Sequence, residues 1–266
     1  MKVKNVLMFI AVSMWSAIEL SGVARADLIN ISISNPGSSS FSLTPLWYGF
    51  HDGGFDVFDP GATASGALEA LAEDGIVSGL QSDFSMFAPL GQQGVLAAPG
   101  GFAGAPIIEG GETASFTFNL SSSNRFLSFA SMVIPSNDSF IGNPNAIEIF
   151  NADGTFVGGG SSRTLTILYE NIWDAGTEVN DTLGAAFSLV GGTSTDENGI
   201  IGLLPPGGLD NFLNTQTPLG TIDRLFSPGS TVATITITAV PEPSSMALLA
   251  MVGTSFVVAR RRFKAK

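Results

Sequence analysis

Two short acidic segments contain the residues of this sequence best suited to chemistry. The segment WDAGTEVND (173–181) holds three carboxylates and no basic residue, and the segment PSNDSF (135–140) holds one carboxylate, Asp138. Neighbouring carboxylates without a basic partner repel one another. Calcium is bound by several oxygen atoms from carboxylates, backbone carbonyls and Asn side chains on loops that can surround it. Both segments are therefore candidates for cation binding.

Each acidic segment is predicted to follow a strand. Residues 125–134 and 164–170 are apolar enough to form deeply buried strands. If both strands run in the same direction, the loops at their carboxyl ends lie at one edge of a sandwich. We then expect Asp138, Asp174 and Glu178 to converge on one Ca²⁺ ion.

The bend between the two acids of the second segment depends on a glycine. Gly176 lies between Asp174 and Glu178, and a residue without a side chain allows a tight turn that directs both carboxylates to one point. Asp181, at the end of the segment, is expected to face water.

Two other acidic loops could compete for a cation. NADGTF (151–156) resembles the start of an EF-hand, but the Glu expected at the twelfth loop position is absent. We interpret it as a hairpin turn with Asp153 and Gly154 at its tip. TSTDENG (193–199) is interpreted as a solvated loop tip or a source of an outer ligand.

The rest of the chain has the pattern of an all-β protein. Gly and Pro recur throughout, and apolar and polar residues alternate in three segments, 28–34, 114–120 and 231–240. Residues 62–75 instead place apolar residues at helical intervals and end on Gly75, a residue favoured after helices. We predict an antiparallel β-sandwich with one short helix packed on it.

Catalytic alternatives need residues that this chain scarcely has. His51 is the only histidine, Asp52 follows it, and no G-x-S-x-G motif is present. We interpret His51 as a side chain at a strand end that hydrogen-bonds a neighbour, and a secreted hydrolase as the least favoured function. A pair of carboxylates acting on glycosidic bonds remains open because acids are abundant.

A polysaccharide-binding module is the main alternative to a cation-binding protein. Trp47, Tyr48 or Trp173 could stack on sugar rings if they were exposed. The competing interpretation, which we favour, is that these aromatic side chains belong to the core.

The amino-terminal residues 1–26 have the pattern of a secretory signal peptide. Lys2 and Lys4 precede an apolar stretch, and Ala24-Arg25-Ala26 forms an A-x-A cleavage site. We therefore expect export, with the folded domain spanning residues 27–240.

The carboxyl-terminal residues 241–266 combine three parts in a specific order. Pro241-Glu242-Pro243 is followed by an apolar stretch, Met246 to Ala259, and then by Arg260 to Arg262. This tail resembles the PEP-CTERM sorting signal of Gram-negative bacteria. The resemblance implies a short membrane helix, recognition by an exosortase-type membrane protease and a host that makes an extracellular polysaccharide matrix.

Removal of both ends changes the charge of the chain. Between residues 27 and 240, three arginines stand against 21 acids, which gives a formal net charge of −18. Nucleic acid is an improbable partner for such a surface, because phosphate contacts need Lys and Arg. The chain has no cysteine, which excludes disulfides and thiolate metal sites.

Three segments taken together resemble the spondin N-terminal domain. They are residues 41–75, the loop FASMVIPSNDSFIG (129–142) and the loop WDAGTEVN (173–180). The resemblance implies a β-sandwich like those of calcium- and lipid-binding domains. It also implies one Ca²⁺ ion held by Asp138, Asp174 and Glu178.

These observations predict an exported, non-enzymatic, calcium-binding protein of the cell surface or extracellular matrix of a Gram-negative bacterium. The expected partners are the sorting protease and, as a possibility left open, extracellular polysaccharide or surface proteins. Contact with the membrane is expected only through the terminal segments.

Overall fold

The computed structural model describes residues 28–98 and 106–241. The predicted signal peptide (1–26) and the apolar and basic parts of the predicted sorting tail lie outside the described residues. None of the helices in the described part of the chain is long and apolar enough to cross a bilayer.

Two antiparallel sheets form most of the molecule, which confirms the predicted all-β sandwich. The smaller sheet has the order β5-β1-β14-β9, and its strands are β1 (Leu28–Ser34), β5 (Thr113–Asn119), β9 (Ser162–Leu168) and β14 (Thr231–Ala239). The larger sheet has the order β11-β10-β7-β6-β3-β4, with β2 and β8 also paired to β6. Its strands are β2 (Ser42–Leu43), β3 (Leu46–His51), β4 (Gln92–Leu96), β6 (Phe126–Ile134), β7 (Ser139–Gly142), β8 (Ile147–Glu148), β10 (Ile172–Asp174) and β11 (Gly202–Leu203).

A small hairpin and several helical turns complete the fold. They are β12 (Gln216–Thr217), β13 (Gly220–Thr221), the 3-10 turns Tyr169–Asn171 and Asp210–Phe212, and the helices α1 (Gly66–Asp74) and α2 (Ser78–Phe87). The last strand, β14, pairs with both β1 and β9, so the folded unit extends to residue 239.

The main core lies between the two sheets. Ile29, Ile31 and Ile33 of β1 point inward with almost no exposed surface, and the alternating polar residues point outward. They pack in one cluster with Tyr48 and Phe50 of β3, on the facing sheet. The period-two pattern of β1 therefore identifies its buried face correctly.

A second apolar cluster lies on the other face of the larger sheet, under the two helices. Trp47 of β3 packs there against Leu68 and Leu71 of α1 and Phe84 of α2. Because sheet and helices cover it from both sides, β3 is buried at all six positions. This layer anchors α1 beside the segment that carries the acidic site.

Helix α1 agrees with its predicted signals. The Ser65 hydroxyl accepts a hydrogen bond from the Leu68 N–H, and Gly75 ends the helix with a left-handed φ of 68°. The expectation of a single helix was incomplete, because α2 follows directly. Val77, Leu80, Phe84 and Ala88 stand at helical spacing and pack in the second cluster, but no side-chain cap marks the start of α2 at Val77.

Candidate cation site

The two predicted acidic loops meet, but through a strand pairing that the sequence did not indicate. Strand β9 lies in the smaller sheet and β6 in the larger one, so no hydrogen-bonded pairing of these two strands joins the loops. Instead β10, a three-residue strand, pairs antiparallel with β7, and Asp174 lies opposite Ser139. Because Asp138 immediately precedes β7, this register brings Asp138 and Asp174 together.

Asp138 is fully buried and accepts several hydrogen bonds. Its Oδ2 accepts from the backbone N–H of Thr177 at 2.9 Å and of Glu178 at 3.2 Å. Its Oδ1 accepts from the Nδ2 of Asn180 at 2.8 Å. The loop after β10 therefore wraps around this carboxylate and presents donors to it.

Asn180 connects the two carboxylates directly. Its Nδ2 lies 2.8 Å from Oδ1 of Asp138 and 3.0 Å from Oδ2 of Asp174. The other oxygen of Asp174 accepts from the Gly176 N–H at 2.9 Å. Two carboxylates thus share one neutral donor between them.

Gly176 has the conformation that the sequence predicted for it. Its φ is +69°, and a Cβ atom there would lie 2.6 Å from the Ile200 nitrogen and 2.7 Å from the Ile200 oxygen. Its carbonyl accepts from the Gly199 N–H at 2.6 Å. Both the backbone turn and the close approach of segment 199–200 require a residue without a side chain.

The carboxylates are held in an environment that disfavours their charge. Burial, together with the nearby negative charge of Asp174, raises the pKa of Asp138 to about 7, although the hydrogen bonds from Glu178, Thr177 and Asn180 oppose the shift. Burial also raises the pKa of Asp174. Among the described residues no arginine forms an ion pair with either acid. The pair therefore lacks a countercharge.

Glu178 reaches the same region but directs its carboxylate elsewhere. Its backbone N–H binds Asp138, whereas its Oε1 accepts a short hydrogen bond from the Ser194 hydroxyl. Glu178 also lies close enough to Glu73 of α1 that its charge contributes, after burial, to a raised pKa of Glu73. The acidic region thus extends from the Asp138–Asp174 pair towards α1.

The donor set suits a hard cation only if oxygens other than carboxylates contribute. In residues 28–98 and 106–241, no three His, Asp or Glu side chains are grouped so as to hold a metal ion by themselves. Calcium takes six to eight oxygens, many of them carbonyls or waters. Two desolvated carboxylates without a basic partner fit such an ion as its anionic ligands.

The other acidic residues lie in a turn or on exposed segments. Asp153 accepts hydrogen bonds from the N–H and hydroxyl of Thr155, so residues 151–156 form the predicted turn. Asp196 and Glu197 are exposed on a segment that runs antiparallel to residues 176–179. Asp181 is partly exposed, and its Oδ1 accepts from the Leu183 N–H.

His51 lies at the end of β3 and hydrogen-bonds its neighbours, as the sequence suggested. Its Nδ1 accepts from the Gly53 N–H at 3.1 Å, which leaves the proton on Nε2, 3.0 Å from the hydroxyl of buried Ser128. That hydroxyl in turn donates to the Phe55 carbonyl. His51 therefore donates to Ser128, the reverse of what a general base would do, and burial lowers its pKa.

Two of the three aromatic side chains considered for sugar stacking lie in the core, and the third is half-buried. Trp47 has no exposed surface and Tyr48 has 2 %, which confirms the core interpretation. Trp173 is half-buried, packs edge-on against Phe58, and donates its indole N–H to the Gly142 carbonyl.

Asn180 is the residue of the site to which the sequence assigned no role. It is visible in the printed sequence as an amide among acids in a segment without Lys or Arg. Such an amide can donate hydrogen bonds to carboxylates that have no basic partner. An amide at this position is therefore the feature of the sequence that could have identified Asn180 as part of the site.

Fold and site together define a β-sandwich with an acidic loop site beside a short helical layer. The Spondin_N family model matches residues 36–188, more than half of the chain, and the protein belongs to that family. The PEP-CTERM protein-sorting motif matches residues 239–262. The motif marks the chain for export and sorting to the cell surface by an exosortase-type system. A search of curated proteins gives no significant match.

Proposed function

We propose that this protein is a non-enzymatic, calcium-binding component of the bacterial cell surface or extracellular matrix. The observation that carries the proposal is the pair of neighbouring carboxylates, fully buried Asp138 and half-buried Asp174, which share one neutral donor and have no basic partner among the described residues. A bound cation would offset the electrostatic cost of burying the Asp138 charge beside the half-buried charge of Asp174.

The residues that would hold the ion are those of the two loops. Asp138 and Asp174 would supply the anionic oxygens, and Glu178 would add a third if its carboxylate left Ser194. The ion would supply countercharge and cross-link the turn before β7 to the loop after β10. Its role is thus structural, and it would raise stability because it binds the folded state.

The non-enzymatic part of the proposal is supported by the geometry around His51. Both ring nitrogens are already engaged, one by the Gly53 N–H and one by Ser128, and neither is oriented by a carboxylate. Ser128 itself is fully buried and is not accessible to a substrate. The constellation that a serine hydrolase needs is therefore not formed at this histidine.

Calcium titration by calorimetry tests the proposal. The full chain in mild detergent should bind one Ca²⁺, and Asp174→Asn should abolish the heat of binding. Asp153→Asn is the matched control, because Asp153 is an exposed carboxylate in a turn that binds its own backbone. Melting temperatures that are equal in excess calcium and in chelator would reject a structural ion.

Sorting can be tested separately in a host that has an exosortase. Replacement of Pro241, Glu242 and Pro243 by Ala should leave the unprocessed chain in the membrane fraction. Replacement of the exposed pair Pro205 and Pro206 should leave processing unchanged. Release of the first variant at the wild-type rate would show that the motif does not direct sorting of this protein.

A further inference from the structure

Asn180 occupies the space between the two carboxylates of the site. Its Nδ2 bridges Asp138 and Asp174 at 2.8 and 3.0 Å. We propose that this amide is a built-in substitute for the cation: it holds the carboxylates together in the metal-free protein and lowers the affinity of the site for calcium. The inference rests on the proposed function and specifies how that site is regulated.

The amide cannot simply turn its oxygen towards the carboxylates. Its Oδ1 accepts from the Asn137 backbone N–H and from the Ser139 hydroxyl, each at 3.2 Å. A reversed amide would place its NH₂ group against the Asn137 N–H, so that two donors would face each other. The hydrogen-bond network therefore assigns the orientation, and Asn180 is a donor to the acids.

Competition follows from this arrangement. Ca²⁺ could bind Oδ1 of Asp138 and Oδ2 of Asp174 together only after the Nδ2 group has withdrawn from both. Each of the lost bonds is to a charged acceptor, and one such bond corresponds to about tenfold in an equilibrium constant. Asn180 therefore shifts the site towards the weak affinities, about 10⁻⁴–10⁻³ M, of extracellular calcium modules.

Asn137 provides a matched control for loosening of the same loop. Its side chain also joins the turn before β7 to the second loop, through the Leu183 carbonyl and the Asp181 N–H, both at 3.0 Å. It makes no hydrogen bond to Asp138 or Asp174. Loss of Asn137 thus weakens the loop contact but leaves Nδ2 of Asn180 available to the carboxylates.

The test is calcium titration of the wild-type chain, Asn180→Ala and Asn137→Ala by calorimetry. We expect Asn180→Ala to bind about 10- to 100-fold more tightly than the wild type, which corresponds to the removal of one or both charge-assisted hydrogen bonds, and Asn137→Ala to show no gain. In chelator, Asn180→Ala should melt below the wild type, and excess calcium should recover most of the difference. Asn180→Ser also removes Nδ2 and adds no carboxylate, and it replaces Asn180→Ala if that variant does not fold.

The outcomes separate the inference from the function on which it rests. Equal or weaker binding by Asn180→Ala, with normal binding by the wild type, overturns competition and leaves the calcium site in place. A similar gain in Asn137→Ala also overturns it, because loop loosening would then suffice. No binding by any variant at millimolar calcium rejects the calcium site and the inference together.

Discussion

The sharpest test of the site is the substitution Gly176→Ala. A side chain at a φ of +69° costs about 1–2 kcal/mol for an L-residue. The new Cβ would also lie 2.6 and 2.7 Å from backbone atoms of Ile200, which cannot rotate away. Such overpacking typically adds about 1–3 kcal/mol. We therefore expect a loss of about 2–5 kcal/mol in the free energy of unfolding, with displacement of the loop that binds Asp138.

Gly158→Ala is the control that isolates the close approach. Gly158 has a φ of +90°, but a Cβ there would meet nothing within 4 Å, so only the conformational cost applies. For a domain of this size, 1 kcal/mol shifts the melting temperature by about 2–4 °C. Gly176→Ala should therefore melt roughly 2–12 °C below Gly158→Ala in thermal scans followed by circular dichroism. Equal melting temperatures would refute the argument that segment 199–200 demands a glycine.

Three further predictions follow from charge and packing. Burial raises the pKa of Asp138 from 3.8 to about 7, so between these values the folded state binds more protons than the unfolded state. The free energy of unfolding in chelator should therefore fall as the pH rises from about 4 to 7. The variant Asp138→Asn should show a flatter trend. The same pH dependence of the melting temperature in the wild type and in the variant would contradict it. In calorimetry, Glu178→Gln should weaken calcium binding and Asp181→Asn, a neighbouring control, should not; identical affinities would remove Glu178 from the site. Leu68→Ala should cost about 2–5 kcal/mol in urea unfolding, because Leu68 is fully buried, whereas Ile76→Ala, at a position 48 % exposed, should cost far less.

Periodicity in the sequence was sufficient for the longer strands and for one of the two helices. The alternation in residues 28–34 and 231–240 predicts two strands that the structure pairs in register. Helix α1 was equally predictable, because Gly75 provides an end signal that depends only on nearby residues. Helix α2 has apolar residues at helical spacing as well, but it lacks a capping side chain at Val77, the start signal that Ser65 gives to α1.

The candidate site divides in the same way. The acids Asp138 and Asp174 and the turn at Gly176 could be identified from residue type and spacing. The reason for their convergence could not, because it depends on the pairing of β10 with β7 rather than on the direction of β9. A strand of three residues is too short to show a periodic pattern from which its pairing partner could be predicted.

The sequence by itself determined the layers of the fold, the absence of thiol chemistry, the sorting motif and the acids available to a cation. Tertiary structure alone decided that Asp138 is fully buried, that Asn180 lies between the two carboxylates, and that Glu178 bonds Ser194. The physical reason is range: caps and alternation act between neighbours along the chain. Burial and the sharing of a donor between residues 138 and 174 depend on contacts between segments distant in sequence.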